Sequence, residues 1–243
     1  MKTHGDKGIM TLLAGVLGRV GHFVFHMLFL RGVLVGLLRL KAYHRERLPQ
    51  DGPAIVIANH NSHADAMVLM CLYPYGRLRR VVPIAAADYW FTGAVMRWFV
   101  VRVVGAVPIF RQREGDVDSL ASAHQVLEAG RIAIIFPEGS RGQPEQMTDF
   151  KSGVFLLAQR FPQVPIVPVY LHGVARLLPR GRYFPRPHRL YAVVGEPVFY
   201  QGQPKAEFLA HLRGQVETLA REFWHHRHVK QGTSLPQPPA GSL

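Results

Sequence analysis

The run Ala54-Ile55-Val56-Ile57-Ala58 stops abruptly at the polar stretch Asn59-His60-Asn61-Ser62-His63-Ala64-Asp65, and an apolar helical stretch, Ala66 to Leu72, comes after it. A short run of β-branched and small apolar residues makes a buried strand. The chain is therefore committed to a strand that ends in a loop carrying a histidine, then a helix with a carboxylate in its first turn. There an imidazole can fold back so that Asp65 holds the proton on one ring nitrogen. The other nitrogen then accepts a proton from a substrate hydroxyl. The same residues fit a second reading, since Ser62-x-x-Asp65 is a capping box with Ser62 as N-cap and Asp65 reaching back. The two roles are compatible, and His63 is a second choice for the base.

Downstream, short apolar runs alternate with helical stretches. Val81 to Ala86, Gly105 to Arg111, Arg131 to Phe136, Val164 to Tyr170 and Tyr191 to Pro197 read as strands. Tyr89 to Val101, Asp116 to Ala129 with Gly130 as its stop, the stretch opened by Phe150-Lys151, and Lys205 to Trp224 read as helices. The two prolines of the Val164 run predict a short strand with irregular pairing. The fold expected is one α/β domain with a mixed central sheet of six or seven strands flanked by helices. An N-terminal helical membrane-docking element precedes it. The division is residues 1–40 for that element, 41–228 for the domain, and 229–243 for a Pro/Gln/Gly/Ser tail read as disordered.

Charge narrows the partners. Lys and Arg number 29 against 16 Asp and Glu, a formal +13, which suits a polyanionic partner such as nucleic acid, an anionic membrane face or phosphorylated substrates. The single cysteine, Cys71, excludes an internal disulfide and lies within an apolar helix. From Ile9 to Leu38 the chain is almost wholly apolar, but Arg19 and Arg31 interrupt it. The charge-free run from Val20 to Leu30 is short of the roughly 18–20 residues of a spanning helix. Arg19, His22 and His26 share one helical face, the pattern of a helix lying in the interface with polar groups turned to headgroups. Arg39, Lys41, Arg45 and Arg47 then place the domain on the cytoplasmic side. An ordinary core helix is the alternative.

Several segments carry chemistry and a plainer reading together. Pro137-Glu138-Gly139-Ser140-Arg141 comes directly after a strand. Glycine lets backbone N–H groups approach an anion and guanidinium grips phosphate, though Gly-Ser-Arg turns are also common on surfaces. Lys151 opens a helix at the end that favours anions, or is a solvated charge. Arg176, Arg180, Arg182, Arg186 and Arg189, with no acid among them, form a basic loop for headgroups or solvent. His225, His226 and His228 are nearly contiguous, which is poor spacing for a metal.

Four strings in order now resemble one pattern. Asn59-His60-x-Ser62-x-x-Asp65, Gly105-x-Val107-Pro108-Ile109-x-Arg111, Phe136-Pro137-Glu138-Gly139-Ser140-Arg141 and Val164-Pro165-Ile166-Val167-Pro168-Val169 are similar to the four blocks of the glycerolipid acyltransferases, the bacterial lysophosphatidate acyltransferases in particular. The likeness covers roughly residues 40 to 200. It implies acyl transfer from acyl-CoA or acyl-carrier protein to the free sn-2 hydroxyl of 1-acyl-glycerol-3-phosphate, with His60 as base and Asp65 orienting it. Arg111, Glu138, Gly139, Ser140 and Arg141 match the acceptor-binding blocks, and Lys151 joins them as a phosphate ligand. Pro165, Val167 and Pro168 fall on the acyl-donor side or are structural. The implied enzyme is an O-acyltransferase of phospholipid biosynthesis, monotopic or peripheral on the cytoplasmic face of the inner membrane. Its partners are the acceptor, the donor and an anionic membrane surface, not nucleic acid, and it needs no metal or cofactor. Phe110 stands before Arg111 where a more polar residue is usual, so another lysophospholipid or a lyso-aminolipid stays open as acceptor. A membrane-bound thioesterase and a non-catalytic basic surface module are the further alternatives.

Overall fold

The computed structural model describes residues 15–18, 20–62, 64–86, 93, 97–109, 119–140, 147–177 and 189–231. Arg19, His63, Arg111, Arg141, most of the aromatic stretch before Arg97, most of the arginine-rich loop and the tail from residue 232 lie outside them.

A seven-stranded sheet runs through the middle of the domain. Its strands are β1 (Lys41–Tyr43), β2 (Ala54–Ala58), β3 (Val81–Ala86), β4 (Val107–Ile109), β5 (Ile132–Ile135), β6 (Ile166–His172) and β7 (Tyr191–Val194). The spatial order is β1-β7-β6-β2-β5-β3-β4, with β6 and β7 antiparallel and every other pair parallel. β2 is central and all five of its residues are buried. Alternate residues of each strand point to opposite faces, and both faces are covered, which makes the continuous apolar runs of β2 and β6 necessary.

One face carries the N-terminal helix α1, with an apolar span over Gly15–Gly36, and α2 (Asp65–Cys71). There Leu30, Leu34 and Leu38 meet Val56, Ala58, Val68 and Val169. The other face carries α4 (Ala121–Glu128), α5 (Ser152–Arg160) and the long α7 (Lys205–Gln231). Phe208, Leu212, Val216, Leu219 and Phe223 form the buried stripe of α7 against Ile55, Ile57 and Tyr170. Each such side chain contributes about 1.5–3 kcal/mol when fully buried. Two shorter helices among the described residues are α3 (Phe99–Val104) and α6 (Val174–Leu177). Gly130 ends α4 at φ 64°, where the Arg131 N–H donates to Val126 O at 3.0 Å.

Three expectations change. β6, predicted short, has seven residues, the longest strand among the described residues, and lies between β2 and β7. Its Pro168 is tolerated because the chain beyond β7 asks only for its carbonyl. Ile166 exchanges two backbone bonds with Val198, and the Gly195 N–H donates to Pro168 O at 2.8 Å. The close approach also requires glycine at 195, since a Cβ there would stand 2.8 Å from Pro168 Cγ. The last helix runs on from Trp224 to Gln231.

The third change concerns α1. Among its described residues the polar stripe faces the protein, not the headgroups. The His22 Nδ1–H donates to Val103 O at 2.8 Å, the His22 and His26 rings meet edge to face at 4.2 Å, and His26 is buried. Leu17, Val20, Phe23, Val24, Leu28 and Val35 are exposed instead, Leu28 to 69%. Periodicity correctly groups the histidines on one face but cannot say which way that face is turned. Burial, with the neighbouring His22 second, pushes the His26 imidazole down to about 4.

Candidate active site

Where β2 ends, its neighbour β6 continues. Leu171 would be left with an unpaired N–H and C=O, and the Asn59 carboxamide takes both: Asn59 Nδ2 donates to Leu171 O at 3.0 Å and the Leu171 N–H donates to Oδ1 at 2.8 Å. A side chain thus completes the ladder and releases the backbone at His60. Asn59 is buried, so leaving these groups unpaired would carry the full desolvation cost.

The loop then closes on Asp65. Its Oδ2 accepts the Asn61 N–H at 2.7 Å, the Ser62 N–H at 2.8 Å and His60 Nδ1 at 2.9 Å. The carboxylate reaches back to the Ser62 N–H, one half of the expected capping box, but the other half is not formed: Ser62 Oγ accepts from the Ala64 N–H, and Ala64, without a side-chain cap bond, stands at the N-cap of α2. Bracing of the loop backbone and orientation of the histidine therefore coexist in one side chain. Since Oδ2 accepts throughout, Nδ1 carries the proton and Nε2 is the accepting nitrogen. The Asp65 side chain is 2% exposed and that of His60 20%. Burial pushes the Asp65 carboxyl up, opposed by the bond from His60 and by the two backbone donors.

The third block comes alongside through β5, the parallel neighbour of β2. The Phe136 ring stacks on the His60 imidazole, centroids 4.2 Å apart and planes 19° from parallel. Phe136 to Gly139 make a turn in which the Gly139 N–H donates to Phe136 O at 3.1 Å. Gly139 sits at φ 72°, and a Cβ there would stand 3.2 Å from Lys151 Cγ. Glycine is required there by the left-handed backbone, and it also leaves room for the Lys151 stem lying over it. The Lys151 N–H donates to Pro137 O at 2.7 Å, which ties the N-cap of α5 to the same turn. Gly139, Ser140 and Lys151 are exposed, whereas Glu138 is fully buried. Glu138 Oε1 accepts the His60 N–H at 2.8 Å, and Oε2 accepts the Thr148 N–H and hydroxyl at 2.9 Å each.

His60, Asp65, Glu138, Gly139 and Lys151 therefore belong to one constellation. Pro165, Val167 and Pro168 stand in and beside β6, where Val167 pairs with Val56 and Pro168 with Ile57. The role of Asn59 went unread in the sequence, although an asparagine at a strand end is a signal for it. Phe136 and Thr148 carry no local signal; only the packing of separate segments reveals them.

The acyltransferase family model matches residues 39–172, more than half of the chain. The chain is 29% identical over 208 residues to the 1-acyl-sn-glycerol-3-phosphate acyltransferase alpha of Mus musculus, covering 82% of this chain and 70% of that one. It is 32% identical over 152 residues to the same-named protein of Homo sapiens, covering 61% and 49%. It is 30% identical over 138 residues to the chloroplastic 1-acyl-sn-glycerol-3-phosphate acyltransferase BAT2 of Brassica napus, covering 56% and 38%. This chain thus spans less than half the length of the latter two. In fold it resembles the lysophosphatidate acyltransferase PlsC of Thermotoga maritima, with a TM-score of 0.61 at 20% identity, covering 88% of this chain and 96% of that one. The mixed sheet, the ordered blocks and the family match over residues 39–172 agree: this chain belongs to the acyltransferase family and is an O-acyltransferase.

Proposed function

We propose that the chain transfers a fatty acyl group from acyl-CoA or acyl-carrier protein to the sn-2 hydroxyl of 1-acyl-glycerol-3-phosphate, giving phosphatidate. The observation that carries this reading is the His60–Asp65 bond at 2.9 Å, with Asp65 Oδ2 also fixed by two backbone N–H groups. His60 Nε2 takes the hydroxyl proton as the oxygen attacks the thioester carbonyl carbon. The tetrahedral intermediate collapses with C–S cleavage, and the imidazolium returns the proton to the departing thiolate. No acyl-enzyme is involved. A positioned base contributes about 10²–10⁴-fold, so placement of the two substrates supplies much of the remainder.

Asp65 stabilises the imidazolium while it exists, and the Phe136 face against the ring favours the same charged form. The Gly139 turn, Ser140 and Lys151, beside the base, receive the acceptor phosphate together with Arg141 and Arg111. Pro165, Val167 and Pro168 shape the strand next to β2. The relatives' names supply the acceptor in this reading, and the net charge of +13 suits a phosphorylated lipid on an anionic surface.

Among the described residues one helix, Gly15–Gly36, is long and apolar enough to cross a membrane by length and composition. Its exposed apolar face supports docking in the interface, with residues 1–40 as docking element and the catalytic domain, expected over 41–228, running on to the end of α7 at Gln231. Arg39, Lys41, Arg45 and Arg47 after it support the cytoplasmic face of the inner membrane. The test is thiol release from a long-chain acyl-CoA, with and without lysophosphatidate, alongside analysis of the lipid product. Release that requires lysophosphatidate and yields phosphatidate is expected. Release independent of any acceptor means hydrolysis and sinks the proposal.

A further inference from the structure

Glu138 lies in the string matched to acceptor binding, yet its side chain is closed to any acceptor. We infer that it is a positioning residue, a buried strut holding the backbone beneath His60 and joining it to the segment that leads into α5. The inference rests on the reading of His60 as the base.

Glu138 is fully buried, and each carboxylate oxygen is in use. Oε1 holds the His60 N–H at 2.8 Å, and Oε2 holds the N–H and the hydroxyl of Thr148 at 2.9 Å. A buried carboxylate is costly unless donors surround it, and these three are its compensation. A glycerol hydroxyl could bind here only by displacing one of them. A carboxylate beside a phosphate would also repel it.

The placement explains what the strut achieves. His60 is fixed at three points: its backbone N–H by Glu138, Nδ1 by Asp65 and its ring face by Phe136. Two of the three come from the turn after β5, so the Glu138 contact registers that turn against the end of β2. Through Thr148 the same carboxylate joins that turn to the segment that leads into α5. One side chain thus sets the base relative to the Gly139 turn and to the start of α5 at Lys151. Displacing a reacting group by about 1 Å costs about 100-fold in rate.

Steady-state kinetics separate a strut from a ligand, with a long-chain acyl-CoA as donor and lysophosphatidate as the varied acceptor. In Glu138→Gln the amide has one acceptor oxygen, so its N–H₂ must face either the His60 or the Thr148 N–H. The expected result is kcat down by about 10–100-fold with the lysophosphatidate KM within about threefold of wild type. Thr148→Val removes only the hydroxyl bond, and kcat should fall by about 2–5-fold at unchanged KM. If Glu138→Gln does not fold, Thr148→Val carries the test alone. A rise in acceptor KM of about tenfold with kcat retained, in either variant, would overturn the inference, as would wild-type kinetics in Thr148→Val. His60→Ala is run in parallel. If it retains turnover, the base assignment has failed; if it is inactive while Glu138→Gln changes only KM, the strut alone has failed.

Discussion

Replacing Asp65 in two ways separates its structural from its chemical work. In Asp65→Ala the Ser62 N–H is left buried without a partner, and the Asn61 N–H and His60 Nδ1–H are left in partly buried positions. An unsatisfied buried donor costs about 1–3 kcal/mol and a partly wetted one less, so about 2–5 kcal/mol of stability should go. For a domain of this size that is a fall of roughly 5–15 °C in Tm. Asp65→Asn keeps an acceptor oxygen where Oδ2 stands and removes a buried charge, so its stability should stay within about 1 kcal/mol of wild type. The amide cannot stabilise an imidazolium, and turnover should fall by about 10²–10⁴-fold.

The pH dependence adds a signature. Burial raises the folded Asp65 pKa above its unfolded value, so the folded protein takes up this proton more readily than the unfolded chain. Its contribution to stability therefore grows as pH falls through the folded pKa towards the ordinary carboxylate value. Asparagine has no such dependence. Thermal melts from pH 4 to 8 with thiol-release kinetics read both effects. Equal destabilisation by Asn and Ala would show that Oδ2 does not carry the loop. Near-wild-type turnover in Asp65→Asn would show that the pairing does not activate His60.

Three other outcomes rest on single contacts. His26 has a folded pKa of about 4 against an ordinary 6.5, so its stabilising contribution is present above 6.5 and lost as pH falls towards 4, by up to about 3 kcal/mol; His26→Leu should flatten the acid limb of a melting-temperature profile, and an unchanged limb places the sensitivity elsewhere. Phe136→Leu keeps an apolar neighbour but removes the π-face stacked on His60, so kcat should fall by about 3–20-fold with the acceptor KM unchanged; an unchanged kcat discards that role. Asn59→Leu strands the Leu171 N–H and C=O, and denaturant unfolding should show a loss of about 2–4 kcal/mol, whereas a loss under 1 kcal/mol would mean the carboxamide is not completing the ladder.

How much of this was legible in the chain depended on whether a residue's role is local. β2, the heptad after it and the Gly130 stop could be read because strand burial, capping and left-handed glycine are properties of a few adjacent residues. The His–Asp reading of Asp65 was visible for that reason, while of the capping box only the return bond to the Ser62 N–H is formed, with Ala64 at the N-cap. β6 was underestimated because proline counts against a central strand unless the bond it lacks is not wanted, and only the partner at Gly195 and Val198 shows that. The facing of α1 needed α3, since a helical wheel gives a relative face and no absolute direction. The Glu138–Thr148 contact joins segments ten residues apart in sequence across a turn, and neither residue announces it.

The decisive comparison is wild type against His60→Ala in one reaction, with thiol release and phosphatidate formation monitored together from acyl-CoA and lysophosphatidate, and a melting curve for each protein. Wild type should yield one acylated lipid for each thiol released. His60→Ala should lose both signals by at least about 100-fold while melting close to wild type. A folded His60→Ala protein that still makes phosphatidate at a near-normal rate would contradict the assignment of the base, and with it the proposed chemistry of the site.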